Sequence, residues 1–172
     1  RRSPPQLHDD LERGNIDVAI LLDFADREDD EVDARGASAW VLAERPLGLW
    51  VPMGHSLAAE PEITSAALRD VAVGMIDRSH GVPVAEGVGR ALLDAGAILR
   101  SLPEGDAKSV ARQCAQLGQC AVDLGWFAGD DATMTRRRVA GWTAHTRLVV
   151  LAKPGDRRDG ARRFLAGLQI GR

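Results

Sequence analysis

Cysteine is scarce in this 172-residue sequence, and its two copies, Cys114 and Cys120, are spaced six apart rather than in the C-x2-C pairs of a zinc site. Neither a metal centre nor a disulfide framework is expected, and both thiols read as buried apolar side chains. A strong excess of either charge is lacking too. A net charge of -3 and a pI near 5.8 leave no electrostatic footprint for nucleic acid, so these residues are not read as a DNA-binding surface. No apolar run approaches the roughly 18 residues of a membrane span, and the opening RRSPPQLHDD lacks the apolar core of a signal peptide. The chain therefore reads as cytoplasmic, with no membrane partner. Neither G-x-x-x-x-G-K-[ST] nor G-x-G-x-x-G occurs, and no cofactor is expected. None of the four histidines (His8, His55, His80, His145) has a second ligand at the spacing zinc prefers.

What is present is a globular composition, 45% hydrophobic and 27% charged, in a length that suits one ordinary domain or two small lobes. Leu7 and Leu11 lie on one helical face, with Gly14 as a helix stop. IDVAILL, residues 16–22, is almost wholly apolar, as in a strand covered on both faces. Seven carboxylates follow within 23–33; such a run either binds a divalent cation or, by the commoner reading, is a solvated turn. SAWVLA and LGLWVP predict two more strands, TSAALRDV a short helix capped by the Thr64 hydroxyl, and VAVGMI a strand. A helix around 84–95, the strand AILRSL, a helix N-capped by Asp106 and the strand QCAVDLGW come next. AGDDATMTRRRVAG reads as a polar connection, TRLVVLAKPG as a strand halted by Pro154, and the arginine-rich final helix carries an apolar stripe of Ala161, Phe164, Leu165 and Leu168. Alternating strand and helix predict an α/β fold with open parallel or mixed sheets.

Two chemical readings follow from this frame. Ser79 in MIDRSHG sits between a strand and a helix, where a hydrolase places its nucleophile. Asp77, however, stands where the tight G-x-S-x-G turn needs glycine, and a base would have to come from His145 or His55. The other reading is a binding site. In open α/β sheets the carboxyl ends of strands face a crevice, and the loops at Asp23 and Phe24, at Asp77, Arg78 and Ser79, and at Gly125 and Trp126 each follow an apolar strand. Arg78 either pairs a ligand carboxylate through its planar fork or is a surface arginine; Trp126 either lines the pocket or caps the core.

Four stretches carry a family resemblance. LERGNIDVAI resembles the L-x-x-G-x-[IL]-D-[LV]-A-[IL] segment of LysR-type transcriptional regulators, and LWVPMGHSLA is similar to their V-V-P-x-x-H-P-L-A. CAQLGQCAVDL stands where the family has V-A-A-G-x-G-I-A-x-L, and GARRFLAGL resembles its closing helix. The resemblance covers nearly the whole chain, and only the effector-binding domain. It implies two Rossmann-like lobes of the type 2 periplasmic-binding kind joined by crossing connections, 1–70 plus 141–172 forming one and 71–140 the other, with an inducer in the cleft between them. It implies ligand contacts from Leu22, Asp23, Val51, Pro52, Asp77, Arg78 and Ser79, to which the strand-end argument adds Gly125 and Trp126. His55 falls on the family histidine, with the role of fixing the turn after its strand. The family also implies a homodimer or homotetramer, and promoter DNA as a partner only through a helix-turn-helix domain that these residues do not contain. The effector domain's usual first strand and helix are likewise not among them. Ser56 replaces the usual proline, Cys120 the second glycine of G-x-G, and Val51 is apolar where some relatives carry a hydroxyl. The expected function is ligand sensing without catalysis; the rivals are an extracytoplasmic solute-binding protein of the same fold and a small hydrolase using Ser79.

Overall fold

The computed structural model describes residues 4–26, 30–76, 82–103, 106–126, 132–155 and 157–168. By its internal contacts the chain divides into two compact units: Arg1–Asp23, Glu31–Glu44 and Arg147–Arg172 make the first, and Phe24–Asp30 with Arg45–Thr146 the second. The second unit thus takes in residues 45–70, which the sequence reading had joined to the first lobe.

In the first unit, helix α1 (Pro4–Glu12) leads into strand β1 (Val18–Ala25); β2 (Ser38–Pro46) and β9 (His145–Ala152) complete a sheet of order β1-β9-β2. Gly14, at φ +71, ends the first helical segment in the left-handed region that an L side chain resists, and its N–H closes on the Leu11 carbonyl at 3.1 Å. Side chains alternate across β9. Val149 and Leu151 join Leu11, Ala19 and Leu21 in one core, while Val150 and Ala152 meet Leu165 of helix α4 (Asp159–Gly167) on the other face. That two-sided burial is why the stretch reads as a continuous apolar run. The start of α4 is tied to β1: Asp17 accepts from the Arg158 backbone N–H at 3.2 Å and from its Nε at 2.5 Å. The Arg158 guanidinium holds the Asp17 carboxyl below the usual carboxylate range.

The second unit is built on a six-stranded mixed sheet. Its strands are β3 (Gly48–Pro52), β4 (Glu62–Ile63), β5 (Ala72–Ile76), β6 (Ile98–Leu102), β7 (Cys120–Asp123) and β8 (Met134–Val139), in the order β4-β8-β3-β7-β5-β6. β3 runs antiparallel to both β7 and β8, whereas β5 runs parallel to β6 and β7. Helix α2 (Val82–Asp94) buries Val88 and Leu92, and α3 (Ala107–Gln116) lays Val110 and Cys114 over Ala121. The expected N-cap is present: Asp106 Oδ1 accepts the Ser109 N–H at 2.9 Å. Gly74 lets α3 approach β5, since a Cβ there would stand 2.2 Å from Cys114 Sγ.

Two local expectations are corrected. Residues 134–139, read as a polar connection, form β8 between β4 and β3. Only Met134 and Val139 are buried, so the strand carries almost no apolar signal, and its pairing with two neighbours makes it a strand. Thr64 occupies the N-cap position of a single 3-10 turn, Ser65–Leu68, but its hydroxyl makes no capping bond.

Candidate functional site

β7 ends in a densely braced turn. Asp123 is 1% exposed; its Oδ1 accepts the Gly125 N–H at 2.9 Å, and its Oδ2 accepts from Arg136 Nε of β8. Arg136 also reaches the Pro46 carbonyl at 3.0 Å. Gly125 sits at φ +79, and a Cβ there would come within 2.5 Å of Arg45 Cβ, so both the backbone and the space require glycine. Trp126 Nε1 donates to Thr146 Oγ1 at 2.6 Å, and that hydroxyl donates in turn to the Leu124 carbonyl at 2.7 Å. The Arg45 guanidinium carbon lies 5.3 Å from the Trp126 ring centroid, a cation–π distance. The indole is therefore held on both its polar edge and its face, and it remains half-buried. Arg45, Asp123, Arg136 and Thr146 were not singled out by the sequence. Only the arginine triplet offered a signal, and its reading as a loop concealed that Arg136 belongs to a strand.

The antiparallel setting of β3 decides which of the expected residues can meet. Gly48 stands opposite Asp123 and Trp50 opposite Ala121, so Val51 and Pro52 lie toward the far end of the sheet from Gly125 and Trp126. Val51 is fully buried, and the Pro52 carbonyl closes a turn with the His55 N–H at 2.9 Å. Because β5 is parallel to β7, with Gly74 opposite Ala121, β5 ends on the same edge as the Gly125 turn. Asp77, Arg78 and Ser79 follow directly in sequence and lie outside the described residues, as does His80. In the first unit, Asp23 Oδ2 accepts from Arg147 Nε at 3.1 Å and from Nη2 at 2.5 Å, and Leu22 precedes it within β1. Arg147 is 3% exposed and Asp23 13%.

The histidine candidates have local partners. His55 Nδ1 accepts the Leu57 N–H at 3.2 Å and so caps the 3-10 turn Ser56–Ala59, the turn-fixing role expected of it. His145 is buried at the start of β9, with Nδ1 3.2 Å from the Thr143 carbonyl. Neither is set beside a described serine as a general base. Among the described residues of the acidic loop, Asp30 accepts the Asp26 N–H at 2.7 Å and Asp33 pairs Arg35 at 3.4 Å. Cys114 and Cys120 are both buried, as expected. Burial, and to a lesser degree the neighbouring Cys114, pushes the Cys120 thiol up to about 12, so it carries no thiolate near neutral pH.

The sequence matches no family model and no curated protein sequence. Solved structures do match. The reduced form of the OxyR regulatory domain from Pseudomonas aeruginosa is 16% identical at a TM-score of 0.69, covering 97% of this chain and 78% of that one. The Synechocystis CcmR regulatory domain in complex with 2-PG is 19% identical at a TM-score of 0.70, over 96% of this chain and 78% of that one. An OxyR2 regulatory domain from Vibrio vulnificus is 16% identical at a TM-score of 0.71, with 97% and 78% coverage. At these identities the likeness is one of fold. The chain has the type 2 periplasmic-binding-like α/β fold of the regulatory domains of LysR-type regulators.

Proposed function

We propose that these residues form the ligand-sensing domain of a bacterial LysR-type transcriptional regulator. In this reading it is a cytoplasmic homodimer or homotetramer that binds a small carboxylate effector without catalysis. It reaches promoter DNA only through a helix-turn-helix domain outside these residues. The observation that carries the reading is the braced turn after β7: Trp126 is held by Arg45 and Thr146 at the edge of the sheet where β5 also ends. Open α/β sheets bind small molecules at the carboxyl ends of their strands, and aromatic side chains commonly line such sites. Arg78, two residues after Ile76, is the proposed carboxylate partner, with Asp77, Ser79 and Gly125 beside it in the binding set. The similarity in fold to a regulatory domain solved with 2-PG is consistent with a small effector.

An effector that prefers one conformation of the regulator shifts its population toward that state, and this is the whole of its action. The test is a thermal-melting screen of organic acids beside uncharged analogues. A cognate acid at 100 times its dissociation constant should add about 2.7 kcal/mol of stability. Trp126→Phe, which keeps the ring and deletes the Nε1 donor, should weaken that response. Stabilisation by uncharged compounds alone would rule out the carboxylate, and no response from any compound would remove the sensing role.

A further inference from the structure

Trp126 can offer a ligand only part of itself. Its Nε1 donor is spent on Thr146 Oγ1 at 2.6 Å, and that hydroxyl donates in turn to the Leu124 carbonyl. Arg45 covers one face of the ring, its guanidinium carbon 5.3 Å from the centroid. The indole is nevertheless half-buried rather than enclosed. What it presents to a ligand is therefore ring carbon, with no hydrogen-bond donor left over.

The ring is also held still. The bond from the Gly125 N–H to Asp123 fixes the backbone before it, Thr146 fixes its edge and Arg45 one face, so stacking on it costs little conformational entropy. A second aromatic is placed against α2, the helix that follows β5 in sequence. The Phe24 ring, counted with the second unit, lies on the helix backbone at Gly87, where a Cβ would stand 2.0 Å from Phe24 Cε1. Phe24 is half-buried as well. An aliphatic acid gains only area burial from such surroundings. A flat unsaturated ring gains in addition the offset-stacked or edge-to-face geometry that aromatic rings prefer.

We infer that the effector carries a flat, unsaturated ring beside its carboxylate, that this ring stacks on the open part of Trp126, and that Phe24 adds a second aromatic surface. The inference rests on the ligand-sensing reading above and names the class of effector within it. With Arg45 on one face of the indole, the ligand takes the other, so that cation, indole and effector ring form a stack of three. Gly87 is the residue that lets Phe24 take its place, since any side chain there would displace the ring.

The test pairs acids of equal charge and similar size, benzoate beside cyclohexanecarboxylate and phenylacetate beside cyclohexylacetate, each titrated against the full-length protein by thermal melting. The aromatic member of each pair should bind roughly two- to tenfold more tightly. Trp126→Leu should equalise the two members, and Gly87→Ala should shrink the difference between them. Should Trp126→Leu fail to fold, fluorine NMR of protein carrying 5-fluorotryptophan reads the ring directly: the aromatic acids should shift the Trp126 resonance, and no shift would overturn the inference. Equal affinities within each pair, or a preference that survives Trp126→Leu, would overturn it and leave an acid sensor in place. So would silence from all four acids while other carboxylates stabilise the protein. No response to any carboxylate would overturn the inference together with the carboxylate reading on which it rests.

Discussion

Among the described residues, each unit contains an aspartate–arginine pair with a deeply buried member, and the two are built the opposite way round. In the first unit the buried partner is the cation: Arg147 is 3% exposed and Asp23 13%. In the second it is the anion, with Asp123 at 1% and Arg136 at 40%. The difference matters because a guanidinium buried in the fold stays charged and depends on its carboxylate, whereas one open to water has water as an alternative partner. The first pair is therefore an obligatory brace, and the second, whose arginine is open to water, is the more adjustable one. It is the adjustable pair that holds the turn carrying Trp126.

Breaking the obligatory brace should have the largest effect. Asp23→Ala leaves the Arg147 charge buried without its carboxylate, and urea unfolding should show a loss of about 3–5 kcal/mol. A loss under ~1 kcal/mol would show that water reaches Arg147 and that the contrast between the pairs is not real. Arg136→Gln should cost less, about 1–3 kcal/mol, because Asp123 keeps its bond from the Gly125 N–H. Its more telling readout is Trp126 fluorescence, which should change as the turn loosens; an unchanged spectrum would mean that the turn does not depend on Arg136.

The smallest effect sharpens the same point with a group that sheds its charge by losing a proton. His8 is buried on α1, and burial, followed by the Arg35 charge, lowers its pKa below 6.5; Asp33, Glu12 and Asp9 oppose this weakly. A histidine held neutral in the fold binds fewer protons than in the unfolded chain. Its contribution is complete above pH 6.5 and is lost as the pH falls through the lower folded value. His8→Gln should flatten the stability profile in that window, and an identical slope in both proteins would assign the acid sensitivity elsewhere.

Features that depend on near neighbours in the chain were legible. Asp106 caps α3 because the residue three positions on supplies the N–H, and His55 fixes its turn because Leu57 is two positions away. The burial of both cysteines followed from their apolar surroundings. The arginine triplet shows the opposite case. Arg137 bonds the Ala58 carbonyl at 2.6 Å, and Arg136 and Arg137 pair with Trp50 and Leu49, contacts that no local pattern in MTRRRV announces. Val51 and Pro52 entered the expected binding set through the family resemblance and Gly125 and Trp126 through the strand-end argument, and neither ground registers that β3 is antiparallel to β7. Their apolar content is the same whichever way β3 points.

Composition and spacing by themselves determined that this is an α/β chain, where most of its strands and helices lie, and that both cysteines read as buried apolar side chains. Hydrophobic period, capping residues and glycine positions are local quantities that act within a few residues. The tertiary structure alone decided that β3 runs against its neighbours β7 and β8, and that Arg136 belongs to Asp123 and Arg147 to Asp23. Those outcomes depend on backbone hydrogen bonds and charges brought together from distant parts of the chain. Their partners are chosen by which whole sheet buries most apolar surface and leaves fewest polar groups unsatisfied.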